Sequence, residues 1–258
     1  MEEKKMKLLF YALKYKGDWD LIVSAINRKE EINEKEFVRL IEKLNCKYIT
    51  MLDSDYPNKF KGVFKPPFVL FYYGDLSLIN GEHLLGVVGS REPSEYGIKA
   101  CKKVLSEINR VNPIIVSGLA KGIDSIAHKI ALEKEFKTIA VLGTGIDYCY
   151  PKENYSLYKK IIEEGLIITE YIVGTKPNPK NFPMRNRIVA AIANGILVSQ
   201  APKRSGAMIT VDFALEYGRD IYAIPGNIKD YLSEGCNLLI KDGAKLVTNY
   251  NDILEDFT

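Results

Sequence analysis

The stretch Ile114-Ile-Val-Ser-Gly-Leu-Ala-Lys-Gly-Ile-Asp124 contains the local pattern that decides the fold. A short apolar run leads into a glycine-containing loop, and an apolar helical segment begins where that loop ends. The same order recurs where Leu84–Val88 leads into Gly89-Ser-Arg91, and where residues 138–142 lead into Gly143-Thr-Gly145. Short buried strands that alternate with helices are typical of a parallel sheet with helices on both faces. The pattern therefore predicts a doubly wound, Rossmann-like α/β domain.

Further apolar runs extend the series of predicted strands. They lie at residues 166–169, 196–198, 221–224 and 245–247. Helical segments lie between the strands, and one of them runs from Ser205 to Tyr217 and ends at Gly218. We therefore expect the Rossmann-like domain, with its mainly parallel sheet, to extend over residues 81–258.

The first 80 residues follow a different pattern. Asp18 and Asn33 are typical helix-capping residues, and each precedes a stripe of apolar residues at helical spacing. After these stripes comes a segment rich in turn signals with one strand pattern at residues 68–73. We expect a small helical domain and a connector over residues 1–80, with the boundary near Asn80-Gly81.

Composition excludes several classes of protein. The 258 residues are 47% hydrophobic and 27% charged, which is typical of a globular protein. The net charge of +3 is too small to indicate nucleic-acid binding, so any basic site must come from local clustering. The four cysteines form no C-x-x-C pair, which argues against a zinc site or a disulfide framework and favours a reducing cytoplasm. No apolar run approaches membrane-spanning length, so we expect no membrane partner.

The predicted sheet brings polar loop residues to one edge. In doubly wound sheets, ligands bind outside the carboxyl ends of the strands. The predicted loops there contain glycines, hydroxyl and amide groups, and basic side chains: Ser90, Arg91, Ser117, Gly118, Lys121, Lys152, Asn154, Lys203, Arg204 and Gly206. Glycine lets the backbone approach a phosphate closely, and helix N-termini supply N–H donors. The acids Asp124, Asp147 and Glu170 share this edge, and Asp124 and Asp147 also suit helix capping.

The stretch Asn181-Phe-Pro-Met-Arg-Asn-Arg187 opens a further predicted helix. Arg185, Asn186 and Arg187 fall in its first turn, where the helix already carries partial positive charge, so they favour a bound anion. Phe182 adds an aromatic face, and bases stack on such faces while arginines pair with phosphates. A second interpretation stays open, in which Phe182 is a hydrophobic staple and the arginines pair with carboxylates.

Motifs of the common nucleotide-dependent enzymes are missing. The sequence has no G-x-x-x-x-G-K-[ST] loop, and Gly143-Thr-Gly145 lacks the third glycine of a dinucleotide fingerprint. His83 and His128 are the only histidines, and His128 falls in an apolar helix where a core role is expected. No catalytic set and no cluster of metal ligands is evident. These observations favour a binding protein without a cofactor over an enzyme.

Several ordered motifs together resemble the DNA-processing protein A (DprA, or Smf) family. They lie between residues 50 and 255 in the family's order. They are Gly89-Ser-Arg91, Ser117-Gly-Leu-Ala-Lys-Gly-Ile-Asp124, Ala140-Val-Leu-Gly-Thr-Gly145, Tyr150-Pro151 with Asn154, Phe182-Pro-Met-Arg-Asn-Arg-Ile188, Ser205-Gly-Ala-Met-Ile-Thr210, Pro225-Gly226, Gly235-Cys-Asn-Leu-Leu-Ile240 and Gly243-Ala-Lys-Leu-Val247. The helical N-terminal segment looks like the family's small sterile-alpha-motif-like domain.

The resemblance implies a non-enzymatic, single-stranded DNA-binding protein. Family members protect incoming DNA during natural transformation and help to load the RecA recombinase. Carried over by motif, Arg91 with Ser90 resembles a phosphate anchor, Lys121, Lys152 and Arg187 resemble other members of a basic pocket, and Phe182 and Arg185 resemble residues that contact bases or backbone. The family commonly forms homodimers, for which Leu239, Ile240 and Leu246 are apolar candidates, although core packing explains them equally well.

Two departures from the family pattern matter for these expectations. Ser199-Gln200 stands where members often have a glutamate, which removes an acid from the sheet edge. The C-terminal winged-helix-like domain of many members is not expected here.

Double-stranded DNA is an alternative ligand to single-stranded DNA. The alternative function is a nucleotide-processing N-glycosidase of the lysine-decarboxylase-like (LOG) type, although Ser205-Gly-Ala-Met-Ile-Thr210 lacks that family's proline-double-glycine opening.

Overall fold

A computed structural model describes residues 2–107 and 112–256. Its strands are β1 (Lys47–Thr50), β2 (Val69–Gly74), β3 (Leu84–Val88), β4 (Ile114–Ser117), β5 (Thr138–Val141), β6 (Leu166–Thr169), β7 (Gly195–Val198), β8 (Asp220–Ala223) and β9 (Lys245–Leu246). Its α-helices are α1 (Glu2–Lys14), α2 (Trp19–Asn27), α3 (Glu34–Ile41), α4 (Glu95–Ser106), α5 (Ile123–Glu133), α6 (Tyr155–Glu164), α7 (Asn181–Ile192), α8 (Gly206–Glu216), α9 (Glu234–Lys241) and α10 (Asn251–Leu254). Short 3-10 helices span Asn58–Phe60, Leu76–Asn80, Lys152–Asn154 and Tyr231–Ser233.

The strands form one nine-stranded sheet in the order β1-β2-β6-β5-β4-β3-β7-β8-β9. From β6 to β9 every neighbouring pair is parallel, and each parallel strand from β3 to β7 is short and almost wholly buried. Strands buried on both faces need helices on both sides. The predicted Rossmann-like α/β class is therefore confirmed.

Helices cover the sheet on its two faces. Helices α4, α5 and α10 pack on one side through residues such as Leu105, Ala127 and Ile253. On the other side, α7, α8 and α9 pack around β7 through residues such as Ala190 and Val211. The chain runs from β3 to β6 in one direction across the sheet and from β7 to β9 in the other. This reversal opens a crevice beyond the ends of β3, β4 and β7, where ligands of such folds bind.

The sheet begins before the boundary that we predicted at residue 80. Strand β2 pairs antiparallel with β6, and β1 pairs antiparallel with β2 at the sheet edge. The sequence pattern indicated the strand at 68–73 but missed β1, which is only 4 residues long and half exposed. The division at residue 80 stays a prediction, although the sheet itself starts at Lys47.

The N-terminal helices share a core with the sheet. Asp18 and Asn33 accept hydrogen bonds from the backbone N–H groups of Leu21 and Glu36, so both predicted caps are confirmed. Phe10 in α1 is fully buried in a cluster that also contains Phe71 of β2. The helical segment is therefore attached to the sheet by apolar packing as well as by the chain.

Candidate nucleic-acid interface

An open cleft of about 500 Å³ lies at the crevice beyond β3, β4 and β7. We call it the rim cleft. It is lined by the turn after β3, the loop after β4, Tyr150, and the N-terminal turns of α7 and α8. Its lining includes Ser90, Arg91, Gly118, Asp124, Tyr150, Phe182, Arg185, Asn186, Ser205, Gly206 and Thr210. Of the predicted site residues, seven lie at this cleft, and the others lie around it or below it.

Arg91 and Phe182 form a cation–π pair at the cleft. The Arg91 guanidinium carbon lies 5.7 Å from the centroid of the Phe182 ring, and the Arg91 side chain is exposed. A Cβ atom at Gly143 would lie 2.8 Å from the Phe182 ring, so this glycine lets the ring settle against the loop after β5. The pair thus offers an aromatic ring with a cation over it, which are the two kinds of group that bind bases and phosphates.

Arg185 forms part of the cleft floor and is almost fully buried. Its Nη1 donates hydrogen bonds to the carbonyl oxygens of Gly118 and Val141. A side chain at Gly118 would collide with this guanidinium, so the glycine makes room for the arginine. Burial lowers the pKa of Arg185 and raises the pKa of the neighbouring Asp124, and the attraction between the two opposes both changes. Arg185 thus supplies fixed positive charge and joins α7 to the loop after β4 and to the end of β5.

The predicted DNA contact of Arg187 conflicts with its position. Its side chain is 1% exposed and forms a bidentate ion pair with Glu170, at 2.8 and 2.6 Å. The guanidinium also donates to the carbonyl oxygens of Lys65 and Met184. Burial disfavours the charge, but the Glu170 carboxylate outweighs it and raises the pKa of Arg187. For this residue, pairing with a carboxylate describes the structure better than phosphate binding.

Two of the predicted polar contacts lie beneath the cleft. The Ser117 hydroxyl is fully buried and donates to the Val87 carbonyl oxygen at 2.7 Å. The Asn154 amide is buried and donates to the carbonyl oxygens of Leu119 and Ala120, at 3.0 and 3.2 Å. Both side chains are occupied by backbone groups, so the structure gives them the role of shaping the loops rather than touching a ligand.

Ser90 is also mostly buried, although it lines the cleft. Its hydroxyl accepts a hydrogen bond from the backbone N–H of Glu92, and its own N–H donates to the Gln200 carbonyl oxygen at 2.7 Å. Its carbonyl accepts from Ile123, the first residue of α5. Ser90 therefore fixes the turn that presents Arg91.

The remaining predicted cations are exposed around the cleft. Lys121 forms an exposed ion pair with Glu153 at 3.1 Å, which a phosphate could replace at little cost. Lys152 lies next to Glu153, and Lys203 and Arg204 lie in the loop that leads into α8. These exposed side chains add positive charge around the cleft.

The N-terminus of α8 points an uncapped helix end at the cleft. Gly206 opens the helix, and no described side chain caps its first turn. The Ser205 hydroxyl is buried and has no hydrogen-bond partner within the described residues. Asn186 donates to the Gly206 carbonyl oxygen at 3.0 Å and so ties α7 to this end. Free N–H groups at a helix N-terminus are suited to phosphate.

The three predicted dimer residues differ in exposure. Leu239 is buried in the core beneath α9, and Ile240 packs partly against the same core. Leu246 is 45% exposed and lies on β9, the last strand of the sheet. Only Leu246 has the exposure that a contact with a second copy requires, while Leu239 fits the core alternative.

His128 is a core residue, as its sequence context predicted. Its Nδ1 lies 2.6 Å from the Thr138 hydroxyl, which itself donates to the Ile115 carbonyl oxygen. With the hydroxyl donating to Ile115, Nδ1–H donates to the hydroxyl, and the imidazole is neutral because burial lowers its pKa to about 3. In residues 2–107 and 112–256, no group of three or more potential ligands could hold a metal ion. Nor is any helix in those ranges long and apolar enough to cross a membrane.

Tyr150 lies at the site but was not among the residues predicted from the sequence. Its ring lies 5.7 Å from that of Phe182 and it lines the cleft. The available signal was the Tyr150-Pro151 pair in the loop after β5, because a proline there fixes a turn whose preceding side chain can face outward. Asp124, which was expected at this edge and as a helix cap, also lines the cleft.

Comparison with known proteins identifies similar chains. A family model described as DNA recombination-mediator protein A matches residues 47–258. The DNA processing protein DprA of Streptococcus pneumoniae (strain ATCC BAA-255 / R6) is 46% identical over 208 residues, which are 81% of this chain and 73% of that protein. The X-ray structure of DNA processing protein A from S. pneumoniae superposes with a TM-score of 0.84 at 38% identity, covering 98% of this chain and 96% of that one. DNA processing protein A from Helicobacter pylori, described as having a unique single-stranded DNA binding mode, gives a TM-score of 0.74 at 29% identity, covering 83% and 99%.

Proposed function

The chain belongs to the DNA recombination-mediator protein A family, and we propose that its rim cleft binds single-stranded DNA in the cytoplasm. The observation that carries this proposal is the Arg91–Phe182 pair beside the uncapped start of α8. Phosphates meet the guanidinium and the helix N–H groups, while a base stacks on the aromatic face. No covalent chemistry is needed, so the role is that of a binding protein rather than an enzyme.

The rest of the rim suits a strand without sequence preference. The cations Lys121, Lys152, Lys203 and Arg204 are exposed and can follow the backbone of a strand. A duplex keeps its bases stacked inside, so it would leave Phe182 without a base to stack on. This argument favours single-stranded over double-stranded DNA.

We also propose a role for the protein after it has bound the strand. We infer that it protects incoming DNA during natural transformation and passes it to the RecA recombinase, as the family resemblance implies. We also infer a homodimer that includes Leu246 at the open end of the sheet. Sedimentation of Leu246→Asp tests the dimer, because a charge at a buried contact would give monomers at concentrations where the wild type is dimeric.

The direct test is fluorescence anisotropy of a labelled oligothymidine over a range of salt concentrations. If the wild type neutralises about four phosphates, the slope of log affinity against log salt is roughly −3. Arg91→Ala removes one contact, so we expect weaker binding and a slope shallower by about 0.7. Arg39→Ala is the matched control, since Arg39 is an exposed arginine on α3 outside the cleft.

Two outcomes would contradict the proposal. If the wild type does not bind oligothymidine at low salt, the cleft has another ligand. If Arg91→Ala and Arg39→Ala behave alike, the DNA lies elsewhere on the surface. The mediator role is tested separately by RecA-dependent strand exchange, which the wild type should stimulate and Arg91→Ala should not.

A further inference from the structure

Aromatic and basic side chains continue beyond the rim cleft along the loop after β5. Tyr150 lies beside Phe182, with 5.7 Å between ring centroids and 37° between ring planes, and it is 45% exposed. Further along the chain, Tyr155 opens α6 and is 53% exposed. The Lys159 ammonium lies 5.0 Å from the centroid of the Tyr155 ring. A cation therefore lies over an aromatic ring both at Phe182, in the cleft, and at Tyr155, beyond it.

We infer that single-stranded DNA leaves the rim cleft over Tyr150 and continues onto Tyr155 and Lys159, which form a second stacking site. We call Tyr150, Lys152, Tyr155 and Lys159 the exit track. The inference rests on the proposed function and adds to it a direction for the strand. It also assigns a base-stacking role to Tyr155 and a phosphate contact to Lys159.

The spacing of the two tyrosines suits a strand. Pro151 and the 3-10 helix Lys152–Asn154 lie between them. With a rise of about 2.0 Å per residue in a 3-10 helix and more in the extended part, Tyr150 and Tyr155 are on the order of 10 Å apart along the chain. This distance corresponds to about three nucleotides at a duplex spacing of about 3.4 Å, and to fewer in a stretched strand.

The exit track is built on a braced loop. Asn154 ties the loop to the carbonyl oxygens of Leu119 and Ala120. The Thr144 hydroxyl donates to the Tyr148 carbonyl oxygen at 2.7 Å, and the Tyr158 hydroxyl donates to that of Ile146. The Tyr155 ring stacks on Tyr158, with 6.1 Å between centroids and 15° between planes. Rings held in this way lose little further freedom when a base stacks on them.

Charge favours a strand that leaves the cleft in this direction. Along the exit track, Lys152, Lys159 and Lys160 are exposed, and the acid Glu153 is already paired with Lys121. At the other end, beyond β8, Tyr96 and Tyr231 are exposed, and Lys99 and Lys103 line a pocket with Tyr96. There Glu95 forms an ion pair with Lys99 at 2.6 Å, and Asp230 lines the neighbouring pocket. A phosphate backbone is therefore attracted along the exit track, whereas the other end offers lysines and acids together.

The test compares Tyr155→Ala with wild type on oligothymidines of increasing length, from about 4 to about 16 nucleotides. The shortest strands fill only the rim cleft, so we expect Tyr155→Ala to bind them as the wild type does. Long strands reach the exit track, so we expect the variant to bind them about 5- to 150-fold more weakly. Tyr155→Trp keeps an aromatic face and should keep wild-type affinity. Lys159→Gln should make the salt slope shallower by about 0.7 for long strands alone.

Controls separate the exit track from folding and from the cleft itself. Tyr48→Ala removes another exposed tyrosine, from β1, and should bind every length normally. Photo-cross-linking of a strand carrying 5-iododeoxyuridine, followed by mass spectrometry, should place a base on Tyr155.

Three results would overturn the inference. The first is that Tyr155→Ala binds all lengths as the wild type does while Arg91→Ala binds weakly. The proposed function would then still stand. The second is a loss that is equal for short and long strands, which would mean that Tyr155 acts on the cleft. The third is a wild type that binds no strand, which removes the proposed function as well.

Discussion

At the scale of single residues, Arg187 shows that a basic residue in a helical first turn need not face a phosphate. Its guanidinium makes hydrogen bonds to Glu170, Lys65 and Met184 and is closed off from solvent. Arg91, by contrast, is exposed over an aromatic ring. The difference lies in burial and partners, and these decide which arginine is available to a ligand.

We predict that Arg187→Met lowers the free energy of unfolding by about 3–5 kcal/mol, because it leaves the Glu170 carboxylate buried without its partner. Urea denaturation measures this directly. Lys99→Met breaks the exposed pair with Glu95 and should leave the unfolding midpoint almost unchanged. If Arg187→Met instead kept wild-type stability and made the salt slope of DNA binding shallower, Arg187 would be a phosphate contact after all.

The buried imidazole of His128 should make stability depend on pH. Burial, helped by Arg185, lowers its pKa to about 3, from an ordinary value of 6.5. Between these values the unfolded chain binds a proton that the folded chain does not, so stability is full above pH 6.5 and falls as the pH drops toward 3. Between pH 7 and pH 5, protonation of His128 in the unfolded chain should lower the free energy of unfolding by about 2 kcal/mol.

The readout is the difference between wild type and His128→Gln in urea unfolding at the two pH values. The variant is expected to be less stable overall, but its loss between pH 7 and pH 5 should be smaller than that of the wild type by about this amount. Equal losses in both proteins would mean that His128 takes up a proton in the folded state near its ordinary pKa.

Much of the candidate site could be predicted from the sequence, because strand ends and glycine loops share one edge of a parallel sheet. Arg91, Phe182 and Gly206 do lie at one cleft. The burial of Ser117 and Arg187 could not be predicted, since it depends on partners that are distant in sequence. For Arg187 those partners are Glu170 and a backbone carbonyl 122 residues away.

At the scale of elements, strands were predictable and their order was not. The predicted strand at Leu84–Val88 matches β3, and the others agree within a residue or two. Buried parallel strands are short, continuous apolar runs, so they stand out from helices locally. Strand order depends on contacts between whole elements, and no local pattern indicated that β2 would join the sheet beside β6.

The turn that carries Arg91 depends on the start of α5. Gly122 has φ +75°, and a Cβ atom there would lie 2.3 Å from the Ser90 carbonyl oxygen and 2.7 Å from the Arg91 carbonyl carbon. We predict that Gly122→Ala pushes this turn outward, which costs about 1–3 kcal/mol of stability and weakens oligothymidine binding by the folded protein. Urea unfolding and anisotropy at one salt concentration measure the two effects.

Gly206→Ala is the matched control for stability, because a Cβ atom there would meet no atom within 4 Å. It should unfold at the wild-type urea concentration. Should Gly122→Ala bind DNA as tightly as the wild type, the Arg91 turn would not depend on this glycine.

At the scale of the whole molecule, the N-terminal helices and the sheet share their packing. The α1 residues Phe10 and Leu13 belong to the same buried cluster as Phe71 of β2 and Ala140 of β5. The Trp19 indole N–H donates to the Pro66 carbonyl oxygen at 3.0 Å. Removing the helices would therefore expose apolar sheet surface to water, which opposes independent folding of the two parts.

We therefore predict that the helical segment and the sheet unfold in one transition. Trp19 is the only tryptophan, and its ring stacks on Phe68 with 5.4 Å between centroids, so its fluorescence reports on the contact between the two parts. Far-ultraviolet circular dichroism reports on all the helices and strands. Both signals should show the same midpoint and the same m-value in urea, as a two-state protein requires. A fluorescence change at lower urea would mean that the helices detach first and form a folding unit separate from the sheet.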